Sequence, residues 1–373
     1  MRDYRSEFPV TRRLVHFNHA GVAPASTRMV RAVAAFMEEA RDLDPSTEAV
    51  WSARGDRIRA DLAGLIGAQA DEIAFVKNTS EGLSLIAVGV DWKPGDNVLA
   101  PADEYPANVY PWFGLRRWGV ETRLVQRRGA LLSVDDLRAA ADARTRLVAV
   151  SFVDWLTGGR TDLASIGAWC RDIGAIFVVD GIQGIGALPL DVEKCGIDCL
   201  AVGGHKWLLS LEGVGGLYIS RRASAKVQSV LHGWKSVTDH ETYLPYHFDP
   251  KPDAGQFEPG SLPWLGIHAL GSALEMLHEA GPAAIQSRIF EITDRLANGV
   301  RARGAEIISP WGENERSGIV TFRLGNNPEA LCAALAERRF FVRVRGGGLR
   351  VSPHFYNDEE DVDRFLAALD ELR

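Results

Sequence analysis

Apolar residues recur along this chain in two patterns: short unbroken runs, and longer stretches in which they return every third or fourth position. The second pattern predicts a helix capped near Ser26 or Thr27 and running through Met37, then another from Trp51 to Ile66. After these the two patterns alternate. Strands are predicted at Glu72 to Val76, Asn97 to Ala100, Thr122 to Val125, Leu147 to Phe152, Ala175 to Val179, Leu200 to Val202 and Gly215 to Ile219. Helices fall between most of them, one from about Thr79 and one from about Pro106 to Trp118. Such alternation implies an α/β fold, a mainly parallel seven-stranded sheet with right-handed crossovers and helices on both faces. The run ending at Ile219 follows its predecessor too closely for a full crossover helix, which allows it to run antiparallel.

The pattern changes beyond Thr238. Thr238 to Gly255 holds three prolines and little periodicity, and reads as a long loop. Helices near Leu262 to Ala280 and Pro282 to Arg303 then lead into a βαβ pattern closed by a helix from Asp358 to Leu372. The expected division is an N-terminal segment (1–20), a large domain (21–255) and a smaller α+β C-terminal domain (256–373).

Composition narrows the class. The 373 residues are 46% hydrophobic and 24% charged, which leaves no room for a long disordered tail. A net charge of −7 with no basic block argues against nucleic acid or an acidic membrane as partner and favours small molecules. Met1 to Phe8 carries charge but no apolar core, and no apolar run is long enough to span a bilayer, so a cytoplasmic protein is expected. Cys170, Cys195, Cys199 and Cys332 show neither a paired framework nor zinc spacing; reduced thiols and no metal are expected.

The chemistry gathers where buried runs end. Phe177-Val178-Val179 releases Asp180-Gly181-Ile182-Gln183, and Ala201-Val202 releases Gly203-Gly204-His205-Lys206. In an open parallel sheet, ligands sit at that end of the strands. Taken singly, Asp180 also suits a turn cap and Lys206 a solvated amine. Together they are what an enzyme needs to hold pyridoxal phosphate: an amine for a Schiff base, and a carboxylate that keeps the pyridine nitrogen protonated. Lys77-Asn78-Thr79-Ser80 lies where a strand gives way to a helix, a place that serves either phosphate binding or ordinary capping. Gly181 to Gly186 lacks the Gly-x-Gly-x-x-Gly spacing of a dinucleotide site.

Val179-Asp180-Gly181-Ile182-Gln183, Gly204-His205-Lys206 and Phe257-Glu258-Pro259-Gly260-Ser261, in this order, resemble the class V aminotransferase family of fold type I pyridoxal-phosphate enzymes. That family includes cysteine desulfurases, selenocysteine lyases, kynureninases and isopenicillin N epimerase. The resemblance implies pyridoxal 5'-phosphate as cofactor and Lys206 as the Schiff-base lysine. It implies Asp180 and Gln183 at the ring nitrogen and hydroxyl, and Tyr105 stacked on the ring where many relatives have histidine. Thr79 and Ser80 would serve the phosphate, His205 would contact the phosphate or orient the lysine, and Ser261 would reach the phosphate of a neighbouring subunit, which implies a homodimer. Arg350, in Arg350-Val351-Ser352 ahead of Tyr356-Asn357, would hold the carboxylate of an amino-acid substrate, with Asn18 and His19 at the mouth.

Two departures bear on the reaction. Group II cysteine desulfurases carry a catalytic cysteine in a loop ahead of the carboxylate arginine, whereas Arg345-Gly346-Gly347-Gly348-Leu349-Arg350 has neither cysteine nor room. Cys332 falls in a helix predicted from Glu329 to Arg338 and is expected to be buried. Asp154 stands where relatives have a neutral residue near the cofactor and is expected to repel a substrate carboxylate. The leading expectation is an aminotransferase working at the substrate α-carbon. The alternatives are a β-eliminating C–S or C–Se lyase, a desulfurase-like enzyme, an epimerase and, in another class, a non-catalytic cofactor-binding regulator.

Overall fold

The fold is that of a computed structural model, which describes residues 4–372. A two-residue strand, β1 (Val15–His16), precedes helices α1 (Thr27–Arg41) and α2 (Thr47–Ile66). Ser26 caps α1, its hydroxyl accepting from the Met29 amide at 3.1 Å.

The seven expected runs form one sheet: β2 (Ile73–Val76), β3 (Asn97–Pro101), β4 (Glu121–Val125), β5 (Thr145–Ser151), β6 (Ile176–Asp180), β7 (Cys199–Gly203) and β8 (Gly215–Ile219). Their order is β2-β8-β7-β6-β5-β3-β4, and β8 alone runs against the rest. Both faces of the inner strands are covered, which is why these read as mostly apolar runs, whereas the edge strand β4 leaves Glu121 and Leu124 exposed. Phe177 and Val179 face one core, and Ile176 and Val178 face the other. Each such side chain, fully buried, contributes roughly 1.5–3 kcal/mol.

Helix α3 (Thr79–Gly89) follows β2. It lies so close to the sheet that a Cβ on Gly82 would stand 2.8 Å from the Ala201 Cβ, which is why glycine occupies that turn. The helix expected over 106–118 is broken. A 3-10 turn at Pro106–Asn108, a short α4 (Tyr110–Phe113) and a second 3-10 turn at Gly114–Trp118 replace it. Pro111 removes an amide donor from the ladder that a continuous helix over this span needs. Helices α5 (Val134–Ala140) and α6 (Leu163–Ile173) complete this part.

After a turn-rich segment come α7 (Trp264–Ala280) and α8 (Pro282–Arg301). Helix α7 packs on α1 and α2. A four-stranded antiparallel sheet follows, in the order β12 (Arg343–Arg345), β13 (Gly348–Val351), β10 (Val320–Arg323), β9 (Glu306–Ile307). Helices α9 (Pro328–Glu337) and α10 (Glu359–Glu371) pack with α8 around it. Strand β11 (Phe340–Phe341) pairs in parallel with β1, so Val15 and Phe17 join the core of Phe322, Phe340 and Phe365. Among the described residues no helix is long and apolar enough to cross a membrane.

Candidate active site

Strands β2, β5, β6 and β7 all end at one edge of the large sheet, and the side chains released there line a cavity of about 360 Å³. Asn78, Thr79 and Ser80 enter it from the start of α3. Asn78 is the helix cap, its side-chain oxygen accepting from the Glu81 amide at 2.9 Å, which leaves the first amides of the helix for an anion. The Thr79 hydroxyl is buried with no protein partner.

Asp180 ends β6, and Lys206 follows β7, the next strand. Burial raises the Asp180 carboxyl to a pKa of about 6, against a hydrogen bond from the Ile182 amide and the charge of Lys206. Burial lowers the Lys206 amine to about 8; Asp180 opposes this, while Arg350 and Arg345 reinforce it. Tyr105 presents its ring to the same space, its centroid 5.5 Å from Lys206 Nζ. His205 also lines the cavity, and its carbonyl accepts from the Ala23 amide at 2.8 Å, tying the N-terminal segment across the site.

Gln183 lines the cavity with its amide already engaged. Nε2 donates to the Ala20 carbonyl at 3.0 Å, and Oε1 accepts from Trp207 Nε1 at 2.9 Å. Arg350 is buried and donates to the Trp155 carbonyl at 2.8 Å, while its Nε has no partner. Burial and the charge of Arg345 lower its pKa to about 10. No carboxylate among the described residues pairs with it.

Other expected residues lie elsewhere. Asn18 and His19, expected at the mouth, are buried behind it, where Ala20 and Gly21 line the cavity instead. His19 bonds the Ser352 carbonyl at 2.9 Å and the Tyr356 hydroxyl at 2.8 Å, so it fastens the N-terminal segment to the C-terminal part. Burial and the neighbouring His16 and His354 hold its pKa well below the usual range. Ser261 is exposed and outside the cavity of its own chain. Asp154 does not face the cavity: its carboxylate accepts from the amides of Leu156 and Thr157 and from the Thr157 hydroxyl, and it lies 3.7 Å from Arg127. Those donors hold it outside the cavity lining, though its charge still acts on Arg350. Cys332 is half-buried rather than buried, and none of the four cysteines lines the cavity.

Glu104 escaped the sequence reading. Its carboxylate accepts from the Ser151 amide at 2.6 Å and the Ser151 hydroxyl at 2.7 Å, and Ser151 pairs in register with Asp180. Burial and the charge of Asp180 raise its pKa to about 8, so it is largely protonated at neutral pH. The available signal was an acid directly before Tyr105 at a strand end. Trp155, which stands edge-on to the Tyr105 ring at 5.3 Å, carried no comparable signal.

This set fits pyridoxal phosphate. The unpartnered Thr79 hydroxyl and the free helix amides suit its phosphate, Asp180 a protonated ring nitrogen, Tyr105 a flat ring, and the Lys206 amine, its pKa lowered by burial, its aldehyde.

Residues 44–365 match the sequence profile of the family Aminotransferase class-V. The chain is 29% identical to a probable cysteine desulfurase of Methanothermobacter thermautotrophicus, over 99% of this chain and 97% of that one. The apo structure of a cysteine desulfurase from Thermococcus onnurineus NA1 superposes with a TM-score of 0.91 at 25% identity, over 100% of this chain and 98% of the other. A C-DES mutant with glycine covalently linked to its pyridoxal-phosphate cofactor superposes with a TM-score of 0.89 at 24% identity, over 98% of each chain. Strand-end lysine and aspartate, fold and family profile all agree: the chain belongs to the class V aminotransferase family and is a pyridoxal-phosphate-dependent enzyme.

Proposed function

We propose that the enzyme binds an amino acid by its α-carboxylate at Arg350, and that Lys206 removes and returns the α-proton without help from a protein thiol. The single observation that carries this reading is the unpaired, buried Arg350 in the same cavity as Lys206 and Asp180. A guanidinium deprived of water and of an anionic partner favours a planar carboxylate, which it can grip with two parallel hydrogen bonds. Pyridoxal phosphate, when bound, supplies an electron sink for the charge left at the α-carbon. Lys206 would carry that cofactor, and as a free amine lowered by burial to about 8 it is a base suited to proton transfer near neutral pH. Asp180 holds the ring nitrogen protonated, and Thr79 and Ser80 take the phosphate. Tyr105 and Trp155 flank the space the ring would occupy.

Transamination needs only this one base and is the first reading. A second rests on the relative named a probable cysteine desulfurase. With no cysteine lining the cavity, sulfur from such a substrate would leave by β-elimination, as sulfide with pyruvate and ammonia, and not as a persulfide on the protein.

We also place the working site in a homodimer. Ser261 is exposed and outside its own cavity, and Tyr243, Leu244, Tyr246 and Phe248 expose apolar surface on the loop ahead of it. The experiment is a spectral screen of amino acids with the holoenzyme, assaying keto acid, sulfide and ammonia, with intact-mass analysis after cysteine. A spectral response with keto acid, or with sulfide and pyruvate, is expected. Stoichiometric persulfide with alanine as co-product, lost in Cys332→Ala, would overturn the thiol-free reading.

A further inference from the structure

Strands β12 and β13 form a hairpin joined by Gly346 and Gly347 alone, at φ 57° and 72°. The register sets Arg343 opposite Arg350 and Arg345 opposite Gly348. Residues directly opposite share a face, as do residues two apart on one strand, so Arg343, Arg345 and Arg350 share one face. Val344 and Leu349 hold the other, against the C-terminal core.

The three arginines have different surroundings. Arg343 lies over the Phe341 ring, 4.7 Å from its centroid, and does not line the cavity. Arg350 is buried in the cavity, and Arg345 stands exposed at its edge opposite a glycine that offers no side chain to cover it. Arg345 donates to the Val344 carbonyl at 2.9 Å and, among the described residues, has no carboxylate partner. Both Arg345 and Arg343 push the Arg350 pKa down, as like charges on one face do when no anion sits between them. The acids that line the cavity are Asp180, which the cofactor engages, and the exposed Glu212.

We propose that Arg345 binds a second anionic group, so that the preferred substrates are amino acids with an acidic side chain, of the aspartate and glutamate class. This rests on the assignment of the α-carboxylate to Arg350. One carboxylate occupies one guanidinium in a two-pronged contact, and a second guanidinium about a residue pair away suits a second carboxylate on the same short molecule. The competing arrangement, both arginines gripping one carboxylate, would make side-chain charge irrelevant.

The test compares isosteres that differ only in that charge. With holoenzyme, kcat/KM for aspartate over asparagine, and for glutamate over glutamine, is expected to exceed about tenfold, the worth of a charge-assisted hydrogen-bonded pair. That ratio should collapse toward one in Arg345→Gln and recover in part in Arg345→Lys. A readout independent of turnover is calorimetric binding of succinate against butyrate to the holoenzyme, with succinate tighter by a similar factor and the difference lost in Arg345→Gln. Equal ratios for acid and amide, or a succinate preference unchanged in Arg345→Gln, overturn the proposal while leaving Arg350 and Lys206 in their roles. Failure of every amino acid to perturb the cofactor spectrum overturns both.

Discussion

Asp180 shows at the scale of one residue how the site opposes the stability of the fold. Burial disfavours the anion and pushes its carboxyl up to about 6 in the folded chain, above the ordinary aspartate range of about 4. Between about pH 4 and 6 the folded state holds the extra proton, so stability falls as pH rises through that window, and the cost is fully present at pH 7. Two units correspond to about 3 kcal/mol. Asp180→Asn is therefore expected to raise the unfolding midpoint of the cofactor-free protein at pH 7.5, with a gain that shrinks toward pH 5, while abolishing activity. Thermal melts across pH read this directly, and a lower midpoint at pH 7.5 would show that burial is not what dominates there. At this scale the sequence reveals residues whose chemistry is unusual for a strand end, which is how Asp180, Lys206 and Thr79 stood out. It does not reveal that Gln183 spends its amide on Ala20 and Trp207, or that Glu104 lies beside Asp180. Those contacts join residues far apart in the chain, and no local pattern encodes them.

At the scale of the element, the hairpin of β12 and β13 decides what reaches the cavity. Its turn is only Gly346 and Gly347, both left-handed, so Arg345 is held at the end of its strand and no longer loop projects over the site. Gly347→Val forces a side chain into a conformation that costs about 1–2 kcal/mol. It is expected to lower the denaturation midpoint and, by displacing Arg345, to reduce kcat/KM by about tenfold to a hundredfold. Urea titration and steady-state kinetics check the two effects; wild-type kinetics in a destabilised variant would remove the hairpin from the site. The shortness of this turn was visible in the sequence as three glycines between two arginine-bearing runs. So were the seven strands of the large sheet, the inner ones because burial on both faces leaves a mostly apolar signature, the edge strand β4 only from its place in the alternation. The segment 106–118 has helical apolar spacing yet breaks into short turns, because Pro111 lacks the donor a continuous ladder needs. Spacing reports which face is buried, and says nothing of whether the ladder closes.

For the whole molecule, the N-terminal segment binds the two parts together. β1 pairs with β11, His19 bonds Ser352 and Tyr356, and Ala20 and Gly21 reach the cavity, so the two parts meet around the site. The outer surface carries the proposal of a homodimer. Tyr246 is 91% exposed and Leu244 69%, an apolar display that a second copy would cover. Light scattering is expected to give twice the mass of the chain, and Leu244→Asp with Tyr246→Asp is expected to shift it toward the monomer and reduce activity together. A fully active monomer would remove Ser261 from the site. The central claim, that Lys206 moves the α-proton of an amino acid, is independent of which product forms. Incubating the holoenzyme with its responding amino acids in deuterium oxide and following the α-position by proton NMR or mass spectrometry tests it most directly. The account predicts deuterium at the α-carbon of recovered substrate with wild-type enzyme, and none with Lys206→Ala loaded with the cofactor and still folded. Exchange at the wild-type rate in Lys206→Ala would contradict it.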